Sequence, residues 1–153
     1  MADIRRAIPE DIDTLVQFRC RLMEEIGHLP PDADVTELAE ATEQYLTDHM
    51  LDQTFIAWVA EQEGRIIGTG GLVFLERPPS PDNLAGLEAY IMNMYTVPEW
   101  RGQGVATAIL RTMVDHVKAS PARRIWLHAT EAGAPLYERY GFTCRTNVME
   151  MMW

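Results

Sequence analysis

The stretch from Tyr90 to Thr107, YIMNMYTVPEWRGQGVAT, constrains this chain more than any other. Up to Val97 it is an apolar and aromatic run of strand composition, and Pro98 ends it. Gly102 and Gly104 then mark a tight turn, and Ala106, Thr107 and Ala108 open a helical pattern that lasts to Lys118. A strand that passes through a two-glycine turn straight into a helix has a physical use. The first N–H groups of a helix lack intrahelical acceptors and the dipole makes that end positive, so the junction suits an anion. Glycines let the backbone approach a phosphate without a Cβ in the way, and Arg101 adds a charge suited to it. Such a turn is also often a bare connection. It is not a Walker loop, since no Gly-Lys-Ser/Thr follows, and Thr107 breaks the Gly-x-Gly-x-x-Gly pattern. A dinucleotide fold also places its glycine turn after the first strand, not two-thirds of the way along.

The flanking sequence supplies the rest of a domain. Asp3 to Ile8 reads as a first strand, and Pro9-Glu10-Asp11 as the start of a helix. Ile12, Leu15, Val16, Phe18, Leu22 and Ile26 form its apolar stripe, with Gly27 as the stop. His28 to Asp34 is a loop, and Val35 to Met50 a second helix. Phe55 to Ala60 is a strand, Glu63-Gly64-Arg65 a turn, and Ile66 to Leu75 the hairpin partner, thinned by Gly68, Gly70 and Gly71. A proline-rich loop, Arg77 to Asn83, precedes a long strand from Leu87 to Val97. After the helix Val105–Lys118 come a short strand at Ile125 to Ala129, a short helix at Ala134 to Tyr140 and a final strand region from Phe142 to Trp153. The order β-α-α-β-β-β-α-β-α-β predicts one mixed α/β domain over residues 1–153, a sheet with helices on both faces.

Composition narrows the function classes. A chain of 153 residues, 47% hydrophobic and 24% charged, suffices for one domain with its own core. No apolar run approaches the roughly 20 residues of a membrane span. The first residues carry no apolar signal core, so no membrane partner and a cytoplasmic location are expected. A net charge of −10 argues against a nucleic-acid partner, which would need lysine and arginine for phosphates. It would suit a cationic substrate such as an amine, although plain solubility is the more usual reason for such a charge. Cys20 and Cys144 are far apart and form no CxxC pair; both are expected as buried small hydrophobes, with no metal site.

Two motifs together carry a resemblance. Arg101 to Ala106 is similar to Arg/Gln-x-x-Gly-x-Gly/Ala, the pyrophosphate-binding signature of the GNAT superfamily of N-acetyltransferases. The strand before it ends in Tyr95-Thr96-Val97-Pro98-Glu99, and Leu136-Tyr137-Glu138-Arg139-Tyr140-Gly141-Phe142 resembles the family's Leu-Tyr-x-x-x-Gly-Phe ending. The resemblance implies a mixed, mostly antiparallel sheet of six to seven strands with helices on both faces, acetyl-CoA as co-substrate and an amine acceptor. It implies that Met94, Tyr95 and Thr96 lie on a bulged strand whose backbone pairs with the pantetheine arm and polarises the acetyl carbonyl. Gly102, Gln103, Gly104, Val105, Ala106 and Thr107 would cradle the pyrophosphate, beside Arg101. Tyr137 matches the tyrosine that protonates the departing thiolate, and Thr130 stands where many members hold an asparagine for the pantetheine.

The general base is less distinct. An alkylamine with a pKa of about 10.4 must lose a proton before it attacks, and the family uses a carboxylate on the strand before the signature, or a water chain. Eleven residues before Arg101, where histone-directed relatives hold glutamate, this chain has Tyr90. Glu88, on the same face of a regular strand, is the first candidate; Asn93 would line the cleft, Glu24 and Glu25 would border the acceptor site, and His128 would relay a proton. By resemblance the acceptor is selected by Phe18 to Leu51 and Glu76 to Gly86, which hold Arg19, Arg21, Glu24, Glu25 and His28 but no constellation that names a substrate. A small-molecule amine is the leading expectation; a peptide N-terminus or lysine, and a non-catalytic acyl-CoA-binding module, are the alternatives. A homodimer is expected by the same resemblance, with the apolar run Val148 to Trp153 as an edge or, equally, as a buried last strand.

Overall fold

The computed structural model describes every residue from Met1 to Trp153. Five strands, β1 (Asp3–Arg6), β2 (Phe55–Gln62), β3 (Arg65–Glu76), β4 (Leu87–Thr96) and β5 (Arg124–Trp126), form one sheet in sequence order. The first four are antiparallel and β5 is parallel to β4. Helices α1 (Ile12–Glu25) and α2 (Thr36–Leu51) fill the connection from β1 to β2. Helix α3 (Val105–Lys118) makes the crossover that a parallel β4–β5 pair requires, and α4 (Ala134–Tyr140) follows β5.

Strand β2 shows why helices cover both faces. Its first six residues are all buried, so neither face meets water. Phe55, Ala57 and Val59 pack with Leu15 of α1 and Leu46 of α2. Their alternates Ile56, Trp58 and Ala60 join Val105, Ile109, Leu110, Met113, Val114 and Val117, the apolar stripe of α3. Close packing of α3 needs the missing side chains of β3. A Cβ on Gly68 would lie 2.9 Å from Val105 Cγ1, and one on Gly70 would lie 2.8 Å from Ile109 Cγ2. On the opposite face a Cβ on Gly71 would meet the Phe55 ring at 2.5 Å.

The β3–β4 ladder is regular except at one place. Gly71 pairs with Met92 and Thr69 with Tyr95, so Asn93 and Met94 together stand opposite Gly70. This is a β-bulge, and Asn93 takes the left-handed conformation it requires, with φ of 57°. The extra residue changes the phase of the strand. Before it, Ala89 and Ile91 face the α3 core; after it, Met94 sits over Gly70, and the Tyr95 ring turns to Phe18 of α1 at 4.9 Å.

Three sequence expectations are corrected. The sheet has five strands, not six to seven, because Phe142 to Trp153 forms no strand. Its partner edge is the limit: β5 has only three residues and ends at Trp126, which leaves the run little ladder to extend. Val148, Met149, Met151, Met152 and Trp153 are exposed. The first helix begins at Ile12 instead of Pro9; the three residues before it form one 3-10 turn, in which the buried Asp11 carboxylate accepts hydrogen bonds from the Ile8 N–H and from Arg5. Cys144 is exposed and only Cys20 is partly buried; both are free. No helix is long and apolar enough to cross a membrane.

The tight Gly71–Phe55 contact gives a stability prediction. Gly71→Ala should destabilise the fold by about 1–3 kcal/mol, the usual cost of overpacking a filled core. Denaturant unfolding measures it, and an unchanged midpoint would contradict this packing.

Candidate active site

The end of α3 that faces the glycine turn is an uncapped positive pole. Its N-cap is Gly104, left-handed with φ of 84°, and no side chain bonds the first-turn N–H groups. The first turn holds no acidic residue, whereas Asp13 and Glu37 sit in the first turns of α1 and α2. The N–H groups of Val105, Ala106 and Thr107 thus lack intrahelical acceptors, and no acid competes for them. Gly102, with φ of 74°, and Gly104 are exposed with open space where a Cβ would be, so a ligand can approach the backbone directly. These features fit a pyrophosphate group.

Arg101 is placed differently from what its charge suggests. Its Nε donates to the Thr96 carbonyl at 2.8 Å, and one terminal nitrogen donates to both Glu25 oxygens at 2.8 Å. The guanidinium also lies 5.5 Å from the centroid of the Tyr95 ring. It therefore clamps the end of β4 to the end of α1, with its charge paired to Glu25. Gln103 likewise turns back, donating to the Glu99 carbonyl.

The bulge lies at the mouth of an opening in the sheet. β5 pairs with β4 only at Glu88, Ala89 and Tyr90, so Ile91 to Thr96 have no strand partner on that side. Met94, Tyr95 and Thr96, the residues of the expected pantetheine contact, are in this unpaired stretch. Thr130 is exposed beyond β5, and its hydroxyl oxygen accepts the Gly133 N–H at 3.0 Å, which leaves the hydroxyl hydrogen free to donate.

Side chains converge at the same opening. The Tyr90 hydroxyl is 2.7 Å from Nδ1 of His128, and the Trp126 ring packs against both. From α1, Arg19 donates to Oδ1 of Asn93, the bulge residue, at 2.7 Å. Burial pushes the Tyr90 phenol above its ordinary value, while His128 and Arg19 pull it down. Glu88 does not belong to this group. Its buried carboxylate is held by Arg77 and Arg124 at the start of β4, away from the Tyr90–His128 contact. Glu25 is committed to Arg101, as described, and Glu24 is exposed.

Tyr137 sits on α4 with only 9% of its surface exposed. Gly141, left-handed with φ of 119°, ends the helix and turns Phe142 back, so that its ring meets Tyr137 edge-on at 5.8 Å. Burial alone pushes the Tyr137 hydroxyl up to about 12, so it remains a proton donor across the neutral range. Tyr137 and His128 line one groove beside β5. The pairings Arg19–Asn93 and Tyr90–His128 are absent from the sequence reading because they join residues 74 and 38 positions apart. The one local signal was Asn93 itself, a polar residue of a type that tolerates positive φ within an apolar strand.

The profile of the Acetyltransferase (GNAT) family matches residues 21–142. N-acetyltransferase 8 of Rattus norvegicus is 32% identical over 83 residues, covering 54% of this chain and 34% of that protein. Probable N-acetyltransferase family 8 member 5 of Mus musculus is 29% identical over 110 residues, covering 70% and 44%. The chain thus spans less than half the length of these relatives. Among solved structures, a predicted acetyltransferase from Clostridium acetobutylicum, crystallised with acetyl-CoA, superposes with a TM-score of 0.89 at 32% identity over 99% of this chain and 96% of that one. A GCN5-related N-acetyltransferase from Ralstonia eutropha gives a TM-score of 0.86 at 26% identity, covering 99% of both chains.

The Tyr137 shift has a consequence for stability. The folded-state value lies above the ordinary 10.0, so between pH 10 and about 12 the native state holds a proton that the unfolded state has lost. Stability is complete below this window and falls as pH rises through it. Denaturant titrations from pH 9 to 12 should show a decline that is shallower in Tyr137→Phe; equal slopes would refute the burial argument.

Proposed function

The chain belongs to the Acetyltransferase (GNAT) family, and on that footing we propose that it transfers the acetyl group of acetyl-CoA to a primary amine of a small molecule. The observation that carries the reading is the bare, acid-free N-terminus of α3 behind Gly102 and Gly104, directly after a bulged and half-unpaired strand. Two of its relatives are named N-acetyltransferases, and the Clostridium protein was crystallised with acetyl-CoA, which supports the donor and the transfer to nitrogen.

In this reading the backbone N–H groups of Gly104 to Thr107 hold the pyrophosphate. The unpaired backbone of Met94 to Thr96 takes the pantetheine arm, with the Thr130 hydroxyl as a further donor. A backbone N–H of this stretch polarises the acetyl carbonyl, a contribution of typically about 3 kcal/mol to barrier lowering. The amine lone pair forms the new C–N bond as the C–S bond breaks. The sulfur leaves as a thiolate and takes the Tyr137 proton. The proton released by the amine passes to the Tyr90 oxygen as Tyr90 gives its own to Nδ1 of His128, in place of Glu88. Their 2.7 Å separation supports this relay.

Thiol release from acetyl-CoA across an amine panel tests the reading. Tyr137→Phe, Tyr90→Phe and His128→Ala should each lower kcat about 100-fold, at the lower end of general acid–base contributions. Glu88→Gln should leave kcat within about twofold but reduce stability by about 1–3 kcal/mol, because the two arginines lose their shared counter-charge. Tight CoA binding with no thiol release for any amine would overturn catalysis in favour of an acyl-CoA-binding module.

A further inference from the structure

Arg19 is the one arginine whose charge the fold half-buries and does not compensate. Arg5, Arg77, Arg101 and Arg124 each meet a carboxylate within 2.8 Å, although the last three are exposed. Arg19 is half-buried on α1 and has no carboxylate within 4.0 Å. Its one hydrogen-bond partner, Asn93 Oδ1, is neutral. A guanidinium withdrawn from water without a counter-charge is costly, and its planar fork still has most of its five donors to offer.

Its position says what would offset that cost. Asn93 is the bulge residue, immediately before Met94, and Tyr90, whose hydroxyl meets His128, is on the same strand three residues earlier. Arg19 therefore reaches β4 at a residue that lies between Tyr90, of the pair proposed to take the amine's proton, and Met94, of the backbone proposed to hold the acetyl carbonyl. We infer that Arg19 binds a carboxylate of the acceptor, so that the substrate class is an amine bearing a carboxylate a short distance from its nitrogen, as in an amino acid. This rests on the acetyl-transfer reading above and narrows it. Desolvation lowers the proton affinity of Arg19, with Tyr90 and Cys20 opposing it, as expected for a cation whose surroundings supply no anion.

The test compares matched probes: L-amino acids, their α-amides and the corresponding amines without the carboxylate. Each is measured by thiol release from acetyl-CoA and by binding to the CoA complex, followed through tryptophan fluorescence. The wild type should favour the acids over the amides by about tenfold or more in kcat/KM and in affinity, the scale of a charge-assisted bidentate contact. In Arg19→Gln the acid-to-amide ratio should fall to near one, and Arg19→Lys should restore part of it. The ratio is taken within each variant, so a general loss of folded protein or a disturbed bulge cancels. Equal use of acid and amide by the wild type, or an unchanged ratio in Arg19→Gln, would overturn the inference. If the acids bind in an Arg19-dependent manner but no thiol is released, the carboxylate site stands and the transfer reading falls.

Discussion

Two residues of β4, Asn93 and Met94, stand opposite Gly70 alone, and the site depends on that mismatch. It sends Met94 to the α3 face, where only glycine leaves room, and turns Tyr95 towards Phe18 and the Arg101 clamp. It also holds Asn93 in a left-handed conformation, where its amide oxygen meets Arg19 from α1. A regular strand would put Tyr95 into the α3 interface and Met94 against α1. The cost of the strained residue is offset by the packing on both sides of it.

Charge is distributed around this strand with a consistent logic. The arginines at its two ends are paired with carboxylates, Arg77 and Arg124 both with Glu88 at the start and Arg101 with Glu25 at the finish. Positive potential survives at two places near the bulge: the uncapped end of α3, made of backbone dipoles, and Arg19. The first offers itself to a phosphate and the second to a carboxylate. Between them lies the unpaired half of β4, where both substrates would meet.

The parts legible in the sequence were those set by local chemistry. α3 runs from Val105 to Lys118 and α4 from Ala134 to Tyr140 as expected, because Gly104, Pro121, Pro135 and Gly141 fix ends that the apolar periodicity only suggests. β4 was found within one residue for the same reason, since Pro98 stops it. What was not legible lies where partners decide. Glu88 looked available because nothing nearby in sequence shows Arg77 and Arg124 closing on it. The tail from Phe142 had the composition of a strand, yet a strand also needs a partner edge, and β5 is only three residues long. Arg19 appeared only as one charge among several on an amphipathic helix; its isolation from carboxylates is a property of the folded chain.

The central claim is that the α3 N-terminus and the unpaired half of β4 form one acetyl-CoA site. Backbone amide NMR of the protein titrated with acetyl-CoA tests it directly. The claim predicts large shift changes and slowed hydrogen exchange at Tyr95 and at Gly102 to Thr107. Changes confined to the groove lined by Ile125, Leu127 and Phe142, with the Gly102–Thr107 amides unmoved, would contradict it.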